Sequence, residues 1–190
     1  MKQSFSIRGF CGFVFKSVTL VLLAAASQQA AAQSFAIGAG GFLVNDTGTA
    51  ADVRGFGTYG GHLFAEVDLE KNVAFQIRAS RFGLAGTAEN TPNLRADAVM
   101  VSVSYLFTDE WFKAGFFAGA GAYRLQPNDL EPGQVPVDGK ETAFGWHGGI
   151  LTVFAISPRF DARVEASGHL IRTDVGHTTI LLGGSIAYHF

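Results

Sequence analysis

The stretch EASGHL at 165–170 sets Glu165, Ser167 and His169 at every second position. In a strand, that spacing puts all three side chains on one face. An acid, a hydroxyl and an imidazole together are the parts of a hydrolase, in which the imidazole takes the hydroxyl proton and the carboxylate orients the imidazole. The spacing argues against such chemistry, because positions two apart along a strand lie about 7 Å from one another. Ser167 and His169 are therefore not expected to touch, and the chain is not expected to be an enzyme. His62, His147, His177 and His189 fall on different segments without ligand spacing, so neither a metal site nor a cofactor is expected. There is no Gly-rich phosphate loop or dinucleotide fingerprint; the Gly pairs sit inside apolar segments, where they ease close packing.

A second constellation is charged. Glu66 and Asp68 alternate with Leu63, Ala65, Val67 and Leu69, and Gln76 and Arg78 alternate with Val73, Phe75, Ile77 and Ala79. Asp161, Arg163, Glu165 and His169 alternate with Ala162, Val164, Ala166, Gly168 and Leu170 in the same way. Segments 58–69 and 73–82 are separated by the three-residue turn EKN, so Glu66 or Asp68 is expected to reach Arg78. Arg163 has Asp161 and Glu165 beside it. Each acid thus has a cationic neighbour, which favours a stabilising, gating network over an ion-binding site.

Segments of this kind recur along the whole chain. Eight alternating stretches, each roughly ten residues long, run over 34–44, 58–69, 73–82, 95–107, 111–125, 142–155, 160–171 and 177–190. Short turns follow the second, fourth and sixth, and longer polar connections follow the first, third, fifth and seventh. An even number of strands with short turns on one rim and long loops on the other is the pattern of a transmembrane β-barrel. Such a barrel pairs every backbone polar group inside the membrane without helices. A charge facing lipid at mid-depth costs roughly 2–4 kcal/mol, so the face carrying Glu66, Asp68, Arg78, Arg163 and Glu165 must point inward. Stretch 111–125 carries Phe and small residues on both faces, and its phase stays open.

Aromatic residues collect at the two ends of the stretches. Tyr105, Phe107, Trp111, Phe112, Phe154, Phe160, Tyr188 and Phe190 lie near the short turns, and Phe42, Tyr59, Tyr123, Phe144 and Trp146 near the long connections. Two girdles of this sort are expected where amphipathic rings sit at headgroup depth.

Composition agrees with strands rather than helices. Of 190 residues, 48% are hydrophobic and only 16% charged, with 24 Gly and 18 Phe. Residues 1–32 differ from the rest: Lys2, Arg8 and Lys16 precede an apolar run too short to span a bilayer, and small residues around Ala30 and Ala32 follow. This is the layout of a cleaved signal peptide, leaving residues 33–190 as the barrel domain. Cleavage after Ala32 removes the single cysteine, Cys11, and three cations, taking the formal charge from −2 to −5. An acidic chain without a basic stripe is a poor partner for nucleic acid.

The Gly-rich GAGAY at 119–123 and the closing SIAYHF at 185–190 complete the pattern. On these residues and on its architecture the chain resembles the small outer-membrane β-barrel superfamily of Gram-negative bacteria, which includes the OmpA barrel and the OmpX/Ail group. The resemblance spans 33–190 and implies a closed, eight-stranded, antiparallel up-and-down barrel in the bacterial outer membrane. It also implies that Ile186, Tyr188 and Phe190 form an assembly signal read by the barrel-assembly machinery. Further partners expected are outer-membrane lipid and an extracellular ligand held by the loops, with the barrel itself a monomer. The expected role is non-enzymatic, in envelope integrity or surface interaction. The alternatives are a narrow conduit for small or hydrophobic solutes, as in OmpW-like barrels, which the inward Phe64 and Met100 mildly favour, and a lipid-modifying enzyme, whose deacylase motif His-x-Ser-Asn is missing. The Gly-x-Trp that marks soluble lipocalins near their first strand is absent too.

Overall fold

The computed structural model describes residues 34–46, 58–84, 94–108, 111–127, 141–173 and 177–190. The signal-peptide assignment to 1–32 and most of the long connections lie outside these residues. Eight strands run in order: β1 Phe35–Asp46, β2 Thr58–Glu70, β3 Val73–Leu84, β4 Leu94–Thr108, β5 Phe112–Pro127, β6 Glu141–Ser157, β7 Phe160–Arg172 and β8 His177–His189. Each pairs antiparallel with its sequence neighbours, and β8 pairs with β1 from Ala36↔His189 to Asp46↔Thr179, closing the sheet. No strand edge is left for another chain to extend.

The register fixes the barrel's tilt. From Ala114 in β5, direct partners run through Thr152, Val164, Gly184, Gly41, Gly61, Arg81 and Asp97, and return to β5 at Arg124. One circuit therefore advances ten residues along β5. With eight strands, that stagger tilts them by about 40° and leaves an interior that side chains can fill. The turn at 158–159 is held by the Ser157 hydroxyl, which accepts from the backbone N–H of Arg159 (3.3 Å) and of Phe160 (3.1 Å).

The two faces separate as the alternation requires. Ile37, Leu63, Val101, Val103, Ile150, Val164, Leu170, Ile180 and Ile186 point outward, and Glu66, Gln76, Arg78, Asp161, Arg163 and Glu165 are buried inside. The open phase of β5 is settled by its adjacent phenylalanines: Phe117 is 5% exposed and Phe116 55%. Its odd positions face inward, so Gly115, Gly119 and Gly121 line the lumen, while Ala114, Ala118, Ala120 and Ala122 face out.

The girdle at the short-turn end is built from three groups of rings in mutual contact. Tyr105, Phe107 and Phe116 form one group, Trp111, Phe112 and Phe154 a second, and Phe160, Tyr188, Phe190 and Phe35 a third. The girdle expected at the other end needs correction. Tyr59, Phe144 and Trp146 face out, but Phe42 and Tyr123 are buried in the lumen. They sit on inward-facing positions, and there they pack an apolar plug that the sequence pattern had not distinguished from a rim.

Candidate functional site

The lumen has two halves. Towards the short turns, Arg78 binds Glu165 through both terminal nitrogens, at 2.5 and 2.6 Å. Arg163 donates to Glu66 at 2.8 Å and, in fork geometry, to both oxygens of Asp161 at 2.7 and 3.0 Å. Gln76 joins the two groups, donating to Glu66 (3.1 Å) and accepting from Arg78 Nε (3.0 Å). His189 Nε2 lies 2.6 Å from Asp161 Oδ2. The Arg163 guanidinium also sits 4.9 Å from the Phe64 ring centre, and that of Arg78 lies 5.9 Å from that of Phe117. Bidentate pairs with their remaining oxygens also bonded are the arrangement in which buried charge is tolerated.

The partners are not those the hairpin suggested. Neither Glu66 nor Asp68 binds Arg78; that cation crosses the lumen to β7, while Glu66 takes the β7 cation. The stagger of the barrel brings strands that are not sheet neighbours to face each other across a narrow interior, and the pairs follow that facing. Asp68 stands apart from the network at the mouth, accepting a hydrogen bond from the Ser34 hydroxyl. A basin of about 270 Å³ opens there, with Asp68, Lys113, Asp161 and His189 in its lining.

Towards the long connections the interior is apolar. Phe42, Val44, Phe82, Leu84, Met100, Tyr123, Leu125, Ile171 and Leu181 form one buried cluster with Ala96, Ala98 and Ala143. Histidines border it. His169, 1% exposed, has Nδ1 2.8 Å from the Tyr123 hydroxyl and Nε2 3.2 Å from Ser167 Oγ. The expectation that Ser167 and His169 would not touch is thereby corrected: about 7 Å separates their backbones, but the imidazole is long enough to fold back along the strand. Even so, the acid does not complete the set. Glu165 is held by Arg78, and the second nitrogen of His169 meets a phenol. His147 stacks on His169 with ring centres 5.4 Å apart, and His62 stacks on Phe42 at 5.5 Å. Among the described residues, His62 Nδ1 and Nε2, His147 Nδ1, Ser80 Oγ and Thr179 Oγ1 have no hydrogen-bond partner, and no group of three or more His, Cys, Asp or Glu is placed to hold a metal.

A family model described as "outer membrane protein beta-barrel domain" matches residues 17–190. The chain belongs to the outer-membrane protein β-barrel family. Its localisation is the bacterial outer membrane. No curated protein matches the sequence significantly. Among solved structures, the fold is similar to Neisserial surface protein A, with TM-score 0.65 and 13% identity over 82% of this chain and 97% of that one. The N-terminal β-barrel domain of Pseudomonas aeruginosa OprF follows at TM-score 0.54 and 11% identity, covering 82% and 97%. A major outer-membrane protein from Thermus thermophilus gives 0.50 and 13%, covering 84% and 100%.

For an outer-membrane β-barrel of this family, short turns lie on the periplasmic side and long loops outside. The charged half of the lumen is then periplasmic and the apolar half extracellular. Ile186, Tyr188 and Phe190 face lipid at the periplasmic end, where the Phe190 N–H donates to the Phe35 carbonyl (3.0 Å).

Proposed function

We propose that the protein is a non-enzymatic outer-membrane barrel that serves envelope integrity or surface interaction, with its extracellular loops as the interacting surface. The filling of the lumen supports this reading. A solute would have to displace Phe42, Phe82, Met100 and Tyr123 at one end, and then break the Arg78–Glu165 and Arg163–Glu66 pairs at the other. Phe64 and Met100, which on sequence grounds favoured a conduit, are packing groups here, 5% and 1% exposed. Catalysis is disfavoured because Ser167 and His169 are buried and lack an acid partner. The test is a planar-bilayer recording of the refolded protein: no stepwise conductance is expected, and stable steps would sink the reading in favour of the conduit.

Ile186, Tyr188 and Phe190 are proposed as the segment that the barrel-assembly machinery reads. They lie on one outward stripe of the closing strand, where a partner can reach them before the seam forms. Removing Phe190 should lower the heat-modifiable, folded fraction in cell envelopes several-fold. An unchanged folded fraction would refute the assignment. With every strand paired, the barrel is proposed to be a monomer.

A further inference from the structure

The lipid-facing surface has different rims at its two ends. At the periplasmic end the outward residues of the strands are aromatic nearly all the way round. At the extracellular end, among the described residues, outward aromatics occur only on β2, as Tyr59, and on β6, as Phe144 and Trp146. Between them, on the outward face of β3, β4 and β5, lie Arg81, Arg95, Asp97, Arg124 and Gln126. Arg81, Asp97 and Arg124 are direct partners in one row across the three strands, and the next outward row towards the periplasm is Ala79, Val99 and Ala122. The charges therefore stand on the lipid-facing wall, one step above the apolar band. They are not up among the loops.

The group is tied together by its single acid. Asp97 accepts from Arg81 Nε at 2.6 Å and from Gln126 Nε2 at 3.2 Å, and lies 3.9 Å from Arg95 Nε. Arg95 Nη2 donates to Gln126 Oε1 at 3.2 Å. Arg81 and Arg95 share the Asp97 carboxylate, and Arg124 adds a third cation in the same row, a net charge of +2 at headgroup depth. The Arg81 side chain is 68% exposed while held by Asp97, so its fork is oriented and still reachable from outside. Planar guanidinium forks fixed by a neighbour are suited to phosphate oxygens, which they bind in pairs.

We propose that the outward face of β3–β5 at this rim binds the phosphate-bearing headgroup of an outer-leaflet lipid. The acyl chains would lie along the row of small side chains beneath, and Tyr59 and Trp146 would flank the headgroup. Charge complementarity and continuity with the apolar band select a lipid as the occupant. The inference rests on the outer-membrane location and loop-out orientation, and not on the closure of the lumen.

The test uses the full mature protein, folded into phosphatidylcholine vesicles doped with diphosphorylated lipid A or with its dephosphorylated form, then analysed by native mass spectrometry for retained lipid. The expected result is retention of the diphosphorylated form, lower by roughly tenfold in R81Q/R124Q and unchanged in R172Q, which removes a rim cation two strands away. Heat-modifiable gel mobility verifies that each variant is folded. Equal retention by wild type and R81Q/R124Q would overturn the proposal. So would equal retention of both lipid forms by the wild type, a comparison that needs no variant.

Discussion

The two halves of the lumen solve the same problem in opposite ways. In the periplasmic half, five ionised side chains are buried, and each has an oppositely charged partner or a fork of hydrogen bonds. In the extracellular half the filling is aliphatic and aromatic, and although the Tyr123 hydroxyl meets His169, other polar atoms, such as both nitrogens of His62, are left without partners among the described residues. A narrow interior thus accepts a dense set of charges more readily than a few stray dipoles, provided the charges are arranged in closed pairs. Removing one member of a pair and removing a stray dipole should then have opposite signs.

The largest effect is expected from breaking a pair. Arg78→Met should destabilise the barrel by about 3–5 kcal/mol in urea unfolding from lipid vesicles, because it strands Glu165. Adding Glu165→Met should recover most of that loss. If the double variant is as unstable as the single, pairing is not what holds this half together. Next comes a backbone contact shared by the two halves. A Cβ on Gly119 would run into the Val101 carbonyl and the His147 ring, so Gly119→Ala should cost about 1–3 kcal/mol. At Gly168, on the outward face, nothing lies within 4 Å, and Gly168→Ala should gain about 0.5 kcal/mol. Equal effects at the two sites would mean the lumen is looser than its packing implies.

Smaller changes belong to the extracellular half. Tyr123→Phe removes a hydroxyl that meets both His169 Nδ1 and Met100 Sδ, and should cost about 1 kcal/mol. His62→Phe keeps the stack on Phe42 and deletes two unpaired nitrogens, so it should raise stability by up to about 1 kcal/mol. A loss of stability there would show that His62 is satisfied after all, and would blunt the contrast between the halves.

Much of this was legible in the chain. All eight strands lie within two residues of the alternating stretches, because a sheet with lipid on one side and a narrow lumen on the other leaves a period-2 signal that few other settings leave. The periplasmic half of the lumen was readable for the same reason, since charges at Arg78, Arg163 and Glu165 admit one facing only. The extracellular half was not: where both faces are apolar, alternation vanishes, so Phe42 and Tyr123 passed for rim residues and β5 had no phase. A finer signal did exist in β5, with Gly at the inward and Ala at the outward positions of GFFAGAGA, reflecting the tighter space inside. Pairings across the lumen were beyond reach, because Arg78 and Glu165 are 87 positions apart on strands that never touch in the sheet. The side-chain reach that joins Ser167 to His169 was missed because backbone spacing was taken for side-chain spacing.

The closing pair β1–β8 carries a consequence for how the chain folds. Seven of the eight strand pairings join consecutive strands, whereas the eighth joins Ala36 to His189 across nearly the whole barrel. That one junction closes the longest loop and carries the largest single closure cost, so it should govern the folding rate. Residue 34 and Phe190 sit at the same end, with Asp68 N–H on the Ser34 carbonyl and Phe190 N–H on that of Phe35. A short linker joining those two ends, with new termini cut into a long extracellular loop, would turn the slowest junction into an ordinary hairpin and hand its entropic burden to a pair of strands chosen by the experimenter.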